Sequence, residues 1–198
     1  MDIQDKLNKF KQIVVENCKN PDFIFREFFV KDHLIITERL ALELCDIYST
    51  ADKNLVLALV WFHDFGKPLN INNERALTLE KGTEALKTVG FEENFINKIV
   101  KYWEIMEKKN ELDLSQESIE VQIVSSADGA AHFIGKFYST YFHDDSEEKI
   151  ADIEIRLKKK IKQDWERKIT LPEIKKLFKN RYLRALEITG EYPTKLLS

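Results

Sequence analysis

Glycine and proline are scarce in this chain of 198 residues, six and four respectively, so the punctuation that turns and hairpins require is thin. No pair of alternating apolar stretches is joined by a hairpin turn. Cysteine is limited to Cys18 and Cys45, both within helical apolar patterns and without C-x-x-C spacing. That argues against a disulfide scaffold or a zinc knuckle and predicts buried free thiols, as suits a reducing compartment. No apolar run approaches the roughly 18 residues of a membrane span, and the start, Met-Asp-Ile-Gln-Asp-Lys, lacks a basic-then-apolar signal pattern. An excess of one charge is missing too: the formal net charge is -3. Neither a basic field for duplex nucleic acid nor an acidic solubilising tail is therefore expected. The expectation is a cytoplasmic protein without a membrane partner.

What the chain does contain is apolar residues at three- and four-residue spacing through most of its length, which predicts an all-α protein. The length suits one well-cored domain. A first helix is expected from about Ile3 to Cys18, followed by the aromatic patch Phe23, Phe25, Phe28 and Phe29. His33 is expected to open a helix reaching about Tyr48. The segment from about Ala51 to Phe62 is apolar on all sides, predicting a buried central helix, and it stops before Gly66-Lys67-Pro68. Further helices are expected over about Glu74–Val89, capped by Gly90, and Glu92–Lys108. A long one is expected after Ser115 as N-cap, with Asp128 at its middle among Ser125, Ser126, Ala127, Gly129, Ala130 and Ala131. These small residues would let another helix, or a ligand, approach the backbone closely. A Lys/Glu-rich helix follows over about Glu147–Arg167. Thr170-Leu-Pro-Glu173 reads as a capping box for a last helix to about Thr189. These last two helices are read as an extension, about 146–190, on or swapped from a core of about 21–145.

The chemistry-bearing feature is His63-Asp64, which ends the apolar helix. Placing two such groups at the edge of a hydrophobic interior costs solvation, and that cost points to a ligand, a charge partner or a catalytic task. The dipeptide alone proves little. Chance gives about a quarter of such a pair in a chain with this many histidines and aspartates, and a second one, His143-Asp144, reads as part of a solvated acidic turn. Grouped with His33 and Asp128, however, the pair makes an N/O ligand set suited to a borderline or moderately hard divalent ion such as Mn, Fe, Co, Ni or Zn. Four protein ligands on an octahedral ion leave two positions for a water and a phosphate oxygen.

The ordered set His33, His63-Asp64 and Asp128 resembles the HD-domain superfamily of metal-dependent phosphohydrolases, whose pattern is H…HD…D. The resemblance covers about residues 25–140. The Trp-Phe-His-Asp string, followed by Asn73-Glu74, is similar to a branch described only as predicted HD phosphohydrolases. It implies a helical bundle of HD type, with His33, His63, Asp64 and Asp128 as metal ligands. It also implies a divalent cofactor (Mg included) and a small phosphate mono- or diester substrate, nucleotides among them. Dinuclear members carry further histidines where this chain has Thr78 and, near the second position, Tyr102 or Trp103. One ion is therefore expected. Some branches place a carboxylate where Lys67 stands, which argues against their substrates.

Around that set, Asp64 is a candidate acceptor of the water's proton. Lys67 is a candidate phosphate contact or a complement to a helix dipole. His132, one turn from Asp128, is a candidate donor to phosphate or leaving group, or a core histidine. Glu74 is a candidate for activating water or holding a ligand histidine, or a helix N-terminal acid. Arg39 and Arg75 are weaker phosphate candidates. The rings of Phe25, Phe28, Phe29, Trp61 and Phe62 read as core, with a nucleobase platform as the other reading. Two rival functions stay open: an HD-type module that senses a nucleotide or phosphate without turnover, and a helical interaction scaffold that docks or homodimerises through residues 146–190.

Overall fold

A computed structural model describes residues 1–144 and 148–194, apart from the side chains of His143 and Asp144. The backbone of His143 and Asp144 ends a short helix, Tyr141–Asp144, while the reading of their side chains as solvated falls outside what is described. The protein is all-α, and no strand occurs among the described residues. The helices are α1 Ile3–Asn17, α2 Ile35–Ile47, α3 Lys53–Phe62, α4 Glu74–Leu77, α5 Thr83–Thr88, α6 Glu93–Glu107, α7 Ile119–Ala131, α8 Tyr141–Asp144, α9 Ile150–Gln163 and α10 Pro172–Glu187. No helix among the described residues is long and apolar enough to cross a membrane.

α3 is the central element. Asp52 caps it, its carboxylate accepting from the backbone of Asn54 and Leu55, and residues from Leu55 to Phe62 are buried except for half-buried Leu57. It packs against α1, α2, α6 and α7, so an apolar residue on any face finds a neighbour, each large one worth about 1.5–3 kcal/mol on burial. Beyond it the chain turns tightly. At Gly66 a Cβ would stand 2.0 Å from the Glu74 carbonyl oxygen and 2.7 Å from the Thr78 nitrogen. Only glycine permits that approach, and its N–H donates to Thr78 Oγ1 at 2.9 Å.

Three local expectations are corrected. His33 does not open its helix: a π-helical turn, Val30–Leu34, runs without a break into α2 and carries His33 inside it. Ser115 does not cap α7; it lies in a short 3-10 turn capped by Asp113, and α7 begins only at Ile119. Asp128 consequently sits near the C-terminal end of α7 rather than at its middle. The Thr170–Glu173 capping box does not form either, because both side chains have tertiary partners. Thr170 lies against Ser126, with Oγ atoms 3.4 Å apart, and Glu173 accepts from the Tyr48 hydroxyl at 2.5 Å.

The small-residue stretch of α7 receives the C-terminal extension. Gly129 faces the π-helical turn Asp164–Lys168 that follows α9; a Cβ there would meet Lys168 Cβ and Ile169 Cγ1 at 3.0 Å. Ser125 Oγ donates to the Lys168 carbonyl at 3.0 Å, and Ser126 Oγ accepts from the backbone of Thr170 and Leu171 at 3.0 and 3.3 Å. The expected close approach is made by the chain itself.

Candidate metal centre

Two helix ends and one turn bring the candidate ligands together. His33 comes from the turn before α2, His63 and Asp64 from the end of α3, and Asp128 and His132 from the end of α7. His33, His63, Asp128 and His132 are buried and Asp64 nearly so. His33 reaches His63 across the bundle, with ring centroids 5.6 Å apart. Two overlapping groups have ligand atoms close enough to share one ion: His33, His63 and Asp64, and His33, Asp128 and His132.

The hydrogen bonding of His63 shows why the donor set fits a cation. Its Nδ1 lies 2.6 Å from the Val60 carbonyl, an acceptor, so the proton sits on Nδ1. In the neutral ring Nε2 is then a lone pair, buried and without a hydrogen-bond partner among the described residues. It stands 3.3 Å from Asp64 Oδ2 and 3.8 Å from Asp128 Oδ1. A lone pair confronting two carboxylates calls for a positive charge among them, either a second proton on the ring or a metal ion. His33 Nε2 faces the same two oxygens at 3.3 and 3.8 Å.

Titration preferences follow the same crowding. Burial pulls His63 down, but Asp64 and Asp128 outweigh it and the imidazole is raised. In His33 burial prevails and the ring is lowered. Burial pushes Asp64 and Asp128 up, yet the imidazole of His63 with Lys67 for the former, and Lys168 with His132 for the latter, hold both carboxyls well below their usual range. His132 is pushed down to about 3, chiefly by burial.

The other expected residues divide. Lys67 Nζ donates to Asp64 Oδ2 at 2.8 Å. Glu74 begins α4, half-buried, its carboxyl raised by burial although Lys67 opposes that. Arg39 and Arg75 are exposed, Arg75 3.9 Å from Glu107, and neither lines the cavity beside the cluster. That cavity, about 280 Å³, is bounded by Phe25, Phe28, Phe29, Phe137, Tyr141, Lys67, Lys160, Lys168, Arg156 and His132 among others. Trp61 and Phe62 lie in the core instead. Of the positions where extra ligands were sought, Thr78 supports the Gly66 turn, and Trp103 Nε1 donates to the His63 carbonyl at 3.1 Å.

The residues not foreseen are Asp164, Lys160, Lys168 and Tyr138. Asp164 is fully enclosed. It accepts from His132 Nδ1 at 2.8 Å, from the Tyr138 hydroxyl at 3.1 Å and from Lys160 Nζ at 2.6 Å, with Lys168 Nζ 3.5 Å away. Burial pushes its carboxyl up, but Lys160 and His132 outweigh this and hold it low. Asp164 thereby places the His132 proton on Nδ1 and turns Nε2 toward Asp128 Oδ1, 3.5 Å away. Lys168 Nζ donates to Asp128 Oδ2 at 2.6 Å. The one visible signal was the spacing of Lys160, Asp164 and Lys168, four residues apart along one helical face.

An all-helical shell that gathers histidine nitrogens and aspartate oxygens into two overlapping groups able to hold an ion has the arrangement of a candidate metal centre. The HD domain family matches residues 30–131, just over half of the chain, and His33, His63, Asp64 and Asp128 all fall within the match. The chain belongs to the HD-domain family, whose members are mostly metal-dependent phosphohydrolases. Comparisons with curated proteins and with solved structures gave no match.

Proposed function

We propose that the protein is a divalent-metal-dependent phosphohydrolase that uses a single ion to cleave a small phosphate ester. The observation that carries this reading is the buried Nε2 lone pair of His63, facing Asp64 and Asp128 with His33 opposite. His33, His63, Asp64 and Asp128 would hold the ion, with His132 Nε2 beside Asp128 as a further donor. A divalent ion there supplies Lewis acidity, activating water for attack on phosphorus and offsetting phosphate charge. Asp64, kept ionised by His63 and Lys67 despite its burial, would bind the ion and accept a hydrogen bond from the attacking water. Lys67 borders both the cluster and the cavity, where its ammonium would steady a phosphate oxygen. His132, its proton held on Nδ1 by Asp164, presents only the Nε2 lone pair, so it would serve the ion rather than donate to the phosphate or the leaving oxygen. Glu74, near enough to Lys67 and Asp64 to feel both charges, would tune that pair.

The test is elemental analysis and calorimetric titration with Mn, Co, Ni and Mg, alongside a screen of phosphomonoesters and phosphodiesters. Roughly one ion per chain and metal-dependent phosphate release are expected, both lost in Asp64→Ala. Unchanged activity in chelated, metal-free protein would sink the reading. Ligand-induced thermal stabilisation without phosphate release, across mono-, di- and cyclic nucleotides, would favour a sensor instead.

Homodimerisation has its own support. The extension leaves Ile150, Ile155 and Leu177 68%, 69% and 71% exposed. Light scattering of wild type and Leu177→Glu checks it: a dimer that the variant splits supports that face, and a monomeric wild type rejects it.

A further inference from the structure

We propose that the cavity over the histidine–aspartate cluster receives a compact phosphate monoester bearing one flat apolar group, and that the C-terminal extension grips its phosphate through Lys160 and Lys168. This rests on the phosphohydrolase reading in taking phosphate as the group presented to the cluster and a divalent ion as its occupant. The two lysines lie outside the HD segment, and both line the cavity.

Charge comes first. Lys67, Lys160 and Lys168 border the cavity, and each donates to an aspartate: Asp64 at 2.8 Å, Asp164 at 2.6 Å and Asp128 at 2.6 Å. Three ammonium groups against three carboxylates, with Arg156 paired to Glu148 at 2.8 Å, leave this wall neutral while the imidazoles are neutral. A divalent ion would leave two positive charges in a largely enclosed site, where unbalanced charge is costly. A phosphate monoester carries close to two negative charges above its second pKa near 6; a diester carries one. The arrangement therefore balances a monoester.

Donor capacity agrees. An ammonium has three N–H donors. Among the described residues Lys160 Nζ has one hydrogen-bond acceptor, Asp164 Oδ1, Lys67 Nζ has one, Asp64 Oδ2, and Lys168 Nζ has one, Asp128 Oδ2, with Asp164 3.5 Å away. Each retains donors for a phosphate oxygen. Asp164 anchors Lys160 from behind while itself held by His132 and Tyr138.

Shape selects the rest of the molecule. About 280 Å³ lies at the small end of ligand pockets, which run about 300–1,000 Å³; it suits one small phosphorylated compound rather than a dinucleotide or a strand. The rings of Phe25, Phe28, Phe29 and Phe137 form the apolar lining. Phe137 is braced by stacking on His132, centroids 3.7 Å apart, and Phe25 packs edge-on to Phe28 at 5.5 Å. Rigid rings of this kind favour a flat partner.

Calorimetry on the full chain, chelated and Mn-loaded, with inorganic phosphate, phenyl phosphate and diphenyl phosphate tests this. Wild type should bind phenyl phosphate about tenfold or more tightly than either comparator. Lys160→Met should weaken phenyl phosphate and inorganic phosphate by about ten- to hundredfold, the loss of a charge-assisted hydrogen bond, with Lys160→Arg restoring most of it. Phe25→Leu, outside the ion network and so safe for folding, should weaken phenyl phosphate about three- to tenfold and leave inorganic phosphate unchanged. Equal binding of all three probes by wild type, or a folded Lys160→Met and Phe25→Leu that bind like wild type, would overturn the proposal even if Mn binds and an ester is hydrolysed. Phenyl phosphate bound as expected, yet never hydrolysed with any metal, would support this site and defeat the hydrolase reading alone.

Discussion

Asp164→Asn removes one charge from the most enclosed ionised group near the site while nearly conserving its shape. The carboxylate accepts from three donors and lies 3.5 Å from a fourth: Lys160 and Lys168 on Oδ1, His132 and the Tyr138 hydroxyl on Oδ2. An amide offers only one acceptor oxygen, so in either orientation its NH2 faces two donors. Removing one side of a buried ion pair costs about 3–5 kcal/mol. The lower end applies here, because Lys168 keeps Asp128 at 2.6 Å. Lys160, already lowered to about 8 by burial and by the charge of Lys168, sheds its proton readily. About 3 kcal/mol in a chain of this length lowers the Tm by about 6–12 °C. The same change frees the His132 ring, and loss of a carboxylate behind a metal-facing histidine weakens metal binding by about 10–100-fold. Thermal melting by circular dichroism and calorimetric titration with Mn read the two effects separately. A variant melting within about 2 °C of wild type, with unaltered Mn affinity, would refute the role of Asp164 as the hub joining the extension to the cluster.

Gly66→Ala should destabilise by about 3 kcal/mol or more, since its Cβ would meet only backbone, the Glu74 oxygen at 2.0 Å and the Thr78 nitrogen at 2.7 Å; urea unfolding measures this, and a wild-type midpoint contradicts the turn. Gly129→Val should lift the extension from α7, seen as faster hydrogen exchange over 150–171 with α1 and α3 unaffected; uniform protection would show that the contact does not hold it. Burial pushes the thiol of Cys18 up to about 12 and that of Cys45 to about 11, from an ordinary 9.0. Native protein at pH 8 should therefore react slowly with a thiol-specific reagent and fully in guanidinium. The sign for stability is set by the unfolded chain, which releases these protons first: above pH 9 the folded state holds more protons, so stability falls as pH rises. Rapid modification of either thiol in native protein would contradict its burial.

The ligands and the extension differ in legibility for a physical reason. His63-Asp64 stood out because the seven positions before it, from Val56 to Phe62, leave no polar face, and a polar pair ending such a run has no cheap explanation. Lys160, Asp164 and Lys168 have a cheap one: opposite charges four residues apart are what a solvated helix uses for surface support. Nothing in that pattern tells a wet face from a buried one. The difference is made by α7, where Ser125, Ser126 and Gly129 leave the backbone bare enough for Lys168 Cβ to come within 3.0 Å of where a Gly129 Cβ would be. That bare patch was visible in the sequence, but its occupant was not, because small residues specify a distance and not a partner. The failed caps have the same origin. Thr170 and Glu173 have the right local spacing, but Ser126 and Tyr48 offer partners from elsewhere in the fold, and a tertiary hydrogen bond displaced the local one. The spacing that made the extension look like surface thus carries three side chains onto the cluster once α7 gives them room. Widening α7 at Gly129, where a Cβ would also stand 3.2 Å from the Asp164 carbonyl oxygen, should therefore loosen Asp164 from His132.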